Sequence, residues 1–163
     1  MRQHQNTIRR GFSLVELVIV IVIIGVIAAI AVPRISRGAR GAADAAMKGD
    51  LAAMRNSIDL YAAEHSGTFP AVASDLQALT GFTDDAGGYS ATKDATHIYG
   101  PYLKAIPTLP VVGGGTVGGA KGDTGVGASD AAGVGWLYTL ADGTIVANTG
   151  TATDESGTLY SAY

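Results

Sequence analysis

The chain has 163 residues, 47% of them hydrophobic and 15% charged, with 14 acidic against 11 basic side chains and no cysteine. That length supports one modest hydrophobic core beside a long helix, and the acidic balance argues against nucleic acid as the primary partner. Without cysteine there is no disulfide framework, no thiolate-bound zinc and no thiol nucleophile.

After a basic opening with Arg2, Arg9 and Arg10, the string Gly11-Phe12-Ser13-Leu14-Val15-Glu16 begins an apolar run that ends at Pro33. A helix over residues 12–32, at about 1.5 Å per residue, crosses the roughly 30 Å hydrocarbon core of a bilayer. Glu16 is the only charge in it. A carboxylate in that setting costs about 2.5 to 3.5 kcal/mol on insertion scales, so Glu16 calls for a partner and a function. Two plainer readings compete. Glu16 could snorkel to the interface of an ordinary anchor. Alternatively the opening could be a secretory signal peptide with Ala29-Ile30-Ala31 as its cleavage site, although the apolar region is long for that and holds a carboxylate. Charge alone leaves the orientation balanced, because Arg34, Arg37 and Arg40 follow the run as closely as the other three arginines precede it.

Residues 11–16, with Gly25 and Pro33 beyond them, resemble the start of type IV pilins and type II secretion pseudopilins. Precursors in that family carry a short basic leader ending in glycine, followed by Phe-Thr/Ser-Leu-x-Glu. Here Gly11 matches the last leader residue, Phe12 the new N-terminus and Glu16 the acidic residue. Gly25 and Pro33 fall where the family carries a helix-weakening glycine and a kinking proline. The resemblance implies cleavage between Gly11 and Phe12 by a membrane prepilin peptidase and N-methylation of Phe12. It further implies assembly with identical or related subunits into a helical filament, on an inner-membrane platform. The leader (residues 1–11) would lie in the cytoplasm, residues 12–33 in the inner membrane among its lipids, and the remainder in the periplasm. The assembled filament would stand in the periplasm or on the cell surface. Loss of the leader leaves 8 basic against 14 acidic side chains, a net charge near −6. In a staggered stack the new Phe12 ammonium can sit beside Glu16 of a neighbouring subunit, and removing one partner of such a buried pair typically costs several kcal/mol.

Past Pro33 the pattern becomes amphipathic. Met47, Leu51, Met54, Ile58 and Tyr61 recur at helical spacing and predict one core-facing stripe. Asp44 with Lys48 and Arg55 with Asp59 are expected as i,i+4 pairs on the polar side. The earlier part of this half, with Gly38, Gly41 and Gly49, suits close helix approach, and residues 25–33 are expected to be able to extend under filament packing or load. Residues 34–66 are thus the amphipathic half of one long helix, stopped by Gly67 ahead of Pro70.

Residues 67–163 are expected to form a globular domain. Ser74-Asp75-Leu76-Gln77 reads as a capping box opening a short helix closed by Gly81. Gly67-Thr68-Phe69-Pro70 and the segment from Tyr102 through Ile106-Pro107 to Pro110 resemble stretches found in major pseudopilins. Trp136 to Leu140, an Asp142-Gly143 turn and Thr144 to Asn148 predict a hairpin whose Trp136 and Tyr138 share one face. Residues 113–135 hold 10 glycines in 23 positions. No phosphate-cradling string occurs there, so a flexible surface loop is expected, longer than the compact loop of a major pseudopilin.

The resemblance also raises calcium, which major pseudopilins bind in their C-terminal loops. Candidate ligands are Asp142, Asn148, Asp154 and Glu155, whose oxygens suit a hard cation. Their spacing matches no EF-hand, and the expectation is solvated loop acids and no cofactor, with calcium as the alternative. Catalysis is not expected: His4 leaves with the leader, and His65 and His97 show no acid or nucleophile partner in the sequence. The fold class expected is α+β, a long N-terminal helix packed on a small C-terminal antiparallel sheet, as in pilins. The functional expectation is a structural subunit of a type II secretion pseudopilus, favoured over a type IV pilin by the missing disulfide and the Tyr102 segment. A tethered periplasmic binding domain that never polymerises is a third reading, and it makes Glu16 dispensable.

Overall fold

The computed structural model describes residues 11–71, 73–111, 113 and 117–163, apart from the side chains of Ser36, Ala73, Ser74 and Asp75. The capping box expected at Ser74 therefore lies outside the described side chains. Helix α1 runs from Leu14 to Glu64. It is the one helix among the described residues that is long and apolar enough to cross a membrane, and none of its most apolar stretch is buried. Gly25 and Pro33 both lie inside it without ending it. Proline has no N–H to donate, so the carbonyl one turn earlier, at residue 29, lacks its usual partner.

Two units divide the chain, residues 1–39 and residues 40–163. In the second unit the expected stripe is the core: Met47, Leu51, Met54, Ile58 and Tyr61 are at most 3% exposed. Opposite them sit Leu76 and Leu79 of α2 (Ala73–Thr80) together with Trp136 and Tyr138. Each such side chain taken fully out of water contributes about 1.5 to 3 kcal/mol, enough for this stripe to hold the helix in the domain. The helix ends as its sequence predicts, with the Gly67 N–H bonded to the Ala62 carbonyl at 2.7 Å and Gly67 at φ +82°.

The α+β arrangement expected is present, a long helix packed on a small and mostly antiparallel sheet, with one parallel pair added. Strands β1 (Phe82–Thr83) and β2 (Tyr89–Ser90) form a small antiparallel ribbon. Strands β3 (Gly125–Gly127), β4 (Val134–Thr139) and β5 (Thr144–Ala147) form a second sheet in that order. There β4 and β5 are antiparallel, but β3 and β4 are parallel, so this sheet is mixed. A parallel pair ordinarily needs a crossover of a dozen residues or more. Six suffice here because β3 is only three residues long, and the chain reverses tightly around Gly133, whose carbonyl accepts the Gly125 N–H at 2.9 Å. The hairpin between β4 and β5 follows expectation: Trp136 and Tyr138 face inward, and Gly143 takes φ +70° in its turn.

The glycine-rich stretch corrects the sequence reading. Its described part is built into the domain: it contributes β3, and Gly118 and Gly119 are buried. The Gly119 N–H donates to the Val134 carbonyl at 2.9 Å, and the Gly118 N–H to Asp130 Oδ1 at 2.7 Å. A Cβ at Gly119 would strike the Asn148 carbonyl oxygen. These glycines serve close backbone approach, which composition cannot distinguish from linker flexibility.

The helix charges also point elsewhere than expected. Neither i,i+4 pair is present among the described residues; the ion pairs there are Lys48 with Asp154 and His97 with Asp94. Asp44 is buried and accepts the Tyr160 hydroxyl at 2.5 Å and the Glu155 N–H at 3.3 Å. Arg55 donates to the carbonyls of Ile145, at 3.0 Å, and Tyr163. Lys48 lies 4.4 Å above the Tyr163 ring. Groups long-range in sequence outcompete the local pair because they are already fixed by the domain, whereas an exposed helix pair is worth only about 0.3 to 0.5 kcal/mol.

Gly119→Ala should therefore destabilise the domain by more than about 2 kcal/mol, combining left-handed strain with the clash at Asn148. Gly133→Ala, left-handed but facing open space, should cost about 1 kcal/mol. Urea unfolding of the full chain in detergent, followed by the fluorescence of its single tryptophan, buried Trp136, measures both. Equal, negligible effects would restore the flexible-loop reading.

The same signal reports alkaline stability. Burial pushes the Tyr138 phenol up to about 12, and burial together with the Asp44 hydrogen bond raises that of Tyr160. The folded state holds these protons more tightly than the unfolded chain. Their contribution is thus complete below about pH 10, the ordinary tyrosine value, and is lost as pH rises from there to about 12. The urea midpoint should fall over that interval, less steeply in Tyr138→Phe.

Candidate functional site

The residues around the expected cleavage point form a helix start. Gly11, Phe12 and Ser13 precede α1, and Phe12 is 81% exposed. Ser13 Oγ accepts the Val15 N–H at 3.3 Å, while Glu16 Oε2 reaches back to accept the Ser13 N–H at 2.8 Å. This is a reciprocal capping box, with serine at the N-cap and glutamate three residues on. Two of the orphan donors that begin every helix are satisfied, and the carboxylate sits at the positive end of the helix dipole. In the uncleaved chain Glu16 thus has a partner of its own, before any neighbouring subunit is involved.

The same signature, Ser13-Leu14-Val15-Glu16 ahead of an apolar run, gives Glu16 a local partner besides the intersubunit pair or the interfacial snorkelling that its charge suggests. The Ser13 nitrogen belongs to the peptide bond of Phe12, so the Phe12 α-nitrogen lies one residue from the group that Glu16 already contacts.

The remaining candidates lie in the second unit and are not gathered into one site. Asp142 is exposed in the β4–β5 turn, where its Oδ1 accepts the Thr144 N–H at 3.0 Å; that bond lowers its carboxyl below the ordinary range. Asn148 is buried, with its Nδ2 donating to Asp130 Oδ1 at 2.9 Å and to the Val134 carbonyl at 2.8 Å. Asp154 accepts the Tyr163 hydroxyl, the Ser156 N–H and the Thr158 N–H, and the Tyr163 bond first among these depresses its carboxyl well below the usual range. Glu155 contributes its backbone N–H to Asp44. Among the described residues no three His, Cys, Asp or Glu side chains are grouped to hold a metal ion.

His65 is buried and stacked on Tyr61 at 3.9 Å, with Nδ1 at 2.8 Å from the Tyr61 carbonyl and Nε2 at 3.0 Å from that of Asp84. It ties the end of α1 to the turn after β1. His97 corrects the sequence reading in one respect, because it does have an acid partner: its Nδ1 lies 2.8 Å from Asp94 Oδ2. Asp94 Oδ1 also accepts the backbone N–H groups of Thr96 and His97, both at 2.8 Å. Those bonds hold its carboxyl far below the ordinary range and staple the loop. The nearby hydroxyl, Thr96 Oγ1, faces the same Nδ1 that Asp94 holds, so no acid–base–nucleophile relay is formed.

The cap predicts different outcomes for two substitutions in the uncleaved chain. Glu16→Gln keeps an acceptor oxygen for the Ser13 N–H, whereas Glu16→Leu loses it. Amide hydrogen exchange at Ser13 in micelles should rise about five-fold in Glu16→Leu, the equivalent of about 1 kcal/mol for a lost cap, and much less in Glu16→Gln. Equal exchange in both would remove the carboxylate from the cap.

The chain matches the family model described as the prokaryotic N-terminal methylation motif over residues 7–32. Neither the curated proteins nor the solved structures gave a significant match. The matched range contains Gly11, Phe12, Ser13 and Glu16, so the capped helix start falls within the motif. Together, the motif and the long apolar helix fit a membrane-anchored, pilin-like precursor, of the kind that prepilin peptidase processes and that assembles into pilin filaments.

Proposed function

We propose that this chain is a structural subunit of a type II secretion pseudopilus, cut after Gly11, methylated on Phe12 and polymerised in the periplasm for protein export. The observation that carries the reading is Glu16, held at the start of a membrane-length helix inside the matched motif. Cleavage would create an ammonium at Phe12 beside the Ser13–Glu16 cap. A subunit leaving the membrane for a filament then exchanges one neutral donor for a charged one, and charge-assisted hydrogen bonds are roughly twice as strong. The missing disulfide and the Tyr102 segment support the secretion branch. Residues 25–33, weakened by Gly25 and Pro33, give the helix a place to extend during that transfer.

A type IV pilus subunit is the second reading. It is favoured by the glycine-rich segment packed in as β3, which departs from a compact major-pseudopilin loop.

Intact-mass spectrometry of the protein from its native membrane should give a chain starting at N-methylated Phe12. A start at Val32 would mean a secretory signal peptide, and an unprocessed Met1 a plain anchor; either sinks the filament reading. Glu16→Ala should insert normally and lower filament yield at least ten-fold; normal yield would take Glu16 out of assembly.

A further inference from the structure

We infer that the helix surface at Arg34 and Arg37 holds the phosphate groups of anionic lipids, on the membrane face opposite the leader. The inference rests on residues 12–33 spanning the bilayer. Between Glu16 and Asp44 the only charged residues are Arg34, Arg37 and Arg40. All three are exposed, and among the described residues none takes part in an ion pair. Arg37 Nε makes one long contact, 3.4 Å to the Pro33 carbonyl. Guanidinium groups with no anion of their own, on an exposed helix, present a surface complementary to phosphate.

The position of these charges along the helix selects the lipid headgroup. Arg34 lies 20 residues past Leu14, about 30 Å along α1, which equals the thickness of the hydrocarbon core. Arg37 follows about 4.5 Å further on, within a headgroup layer roughly 5 to 7 Å deep. Ile35 between them is apolar and 70% exposed, which suits the boundary with the acyl chains. Arg34 and Arg37 are three residues apart, neighbours on one side of the helix, and a planar guanidinium binds a phosphate through two parallel hydrogen bonds. Arginines on the translocated side also oppose the usual placement of positive charge, so they are not there to set orientation. Arg40 continues the spacing in sequence, but it falls about 9 Å beyond Arg34, past a headgroup layer of that depth.

The test is the full chain reconstituted in phosphatidylcholine vesicles carrying a trace of spin-labelled phosphatidylglycerol or spin-labelled phosphatidylcholine. The fraction of each label that is motionally restricted gives the lipid preference. The native chain should prefer phosphatidylglycerol, with each arginine worth about five-fold at low salt, the equivalent of about 1 kcal/mol. Arg34→Gln/Arg37→Gln should reduce the preference by at least that factor, and Arg40→Gln should change it less. The same preference in native and double-variant chains overturns the proposal. Inorganic phosphate that displaces the labelled lipid more than chloride of equal ionic strength does would reassign the surface to free phosphate and overturn the lipid assignment. Carbonate extraction separates the two levels: a native chain released by carbonate overturns the spanning reading itself, whereas one that resists carbonate yet shows no lipid preference overturns this proposal alone.

Discussion

A helix that is apolar on every side up to Pro33, and on one side only from Met47 onward, has to be solvated by two different media. Other features of α1 follow from that constraint. In the first stretch no protein covers the side chains, so hydrocarbon or other helices must do so, and a carboxylate there is tolerable only if its oxygens are engaged. In the second stretch the stripe at Met47, Leu51, Met54, Ile58 and Tyr61 is covered by Trp136, Tyr138 and α2 of the same chain. One continuous element thus serves both as the anchor and as the spine of the domain.

The Ser13–Glu16 cap bears on how a filament can be built from such a chain. A glutamate waiting unpaired in the bilayer for a neighbour would be a liability throughout the life of the monomer. A glutamate that already accepts the Ser13 N–H has part of that cost offset. In the proposed filament, assembly would be an exchange of partners, a neutral donor for a charged one.

Much of this was legible in the sequence, for identifiable reasons. The stripe, the stop at Gly67 and the inward Trp136 and Tyr138 follow from periodicity and from glycine at a left-handed position, both of which are local. The cap at Ser13 is equally local, but the cost of a charge in an apolar run exceeds what one cap hydrogen bond offsets and so points to a stronger, distant partner. The partners of Asp44, Lys48 and Arg55 could not be read locally, since they come from residues 145–163 and displace the helix pairs that spacing suggests. The glycine-rich stretch failed for a different reason. Glycine is selected both where the chain must be loose and where two backbones must touch, and Gly119 against Asn148 is the second case. The parallel pairing of β3 was hidden because a three-residue strand leaves almost no alternation to detect.

The clamp formed by Asp44 with Tyr160, Arg55 with Tyr163 and Lys48 with Asp154 has a consequence in time. These contacts join residues 106 to 116 positions apart, so the helix emerges from the ribosome long before its partners exist. Until residue 160 has been made, Asp44 has no hydroxyl to meet and one flank of the stripe stays bare. The membrane half of α1 has no such wait, because its solvent is already present. The domain therefore closes on its own spine only once residues 154–163 have been made.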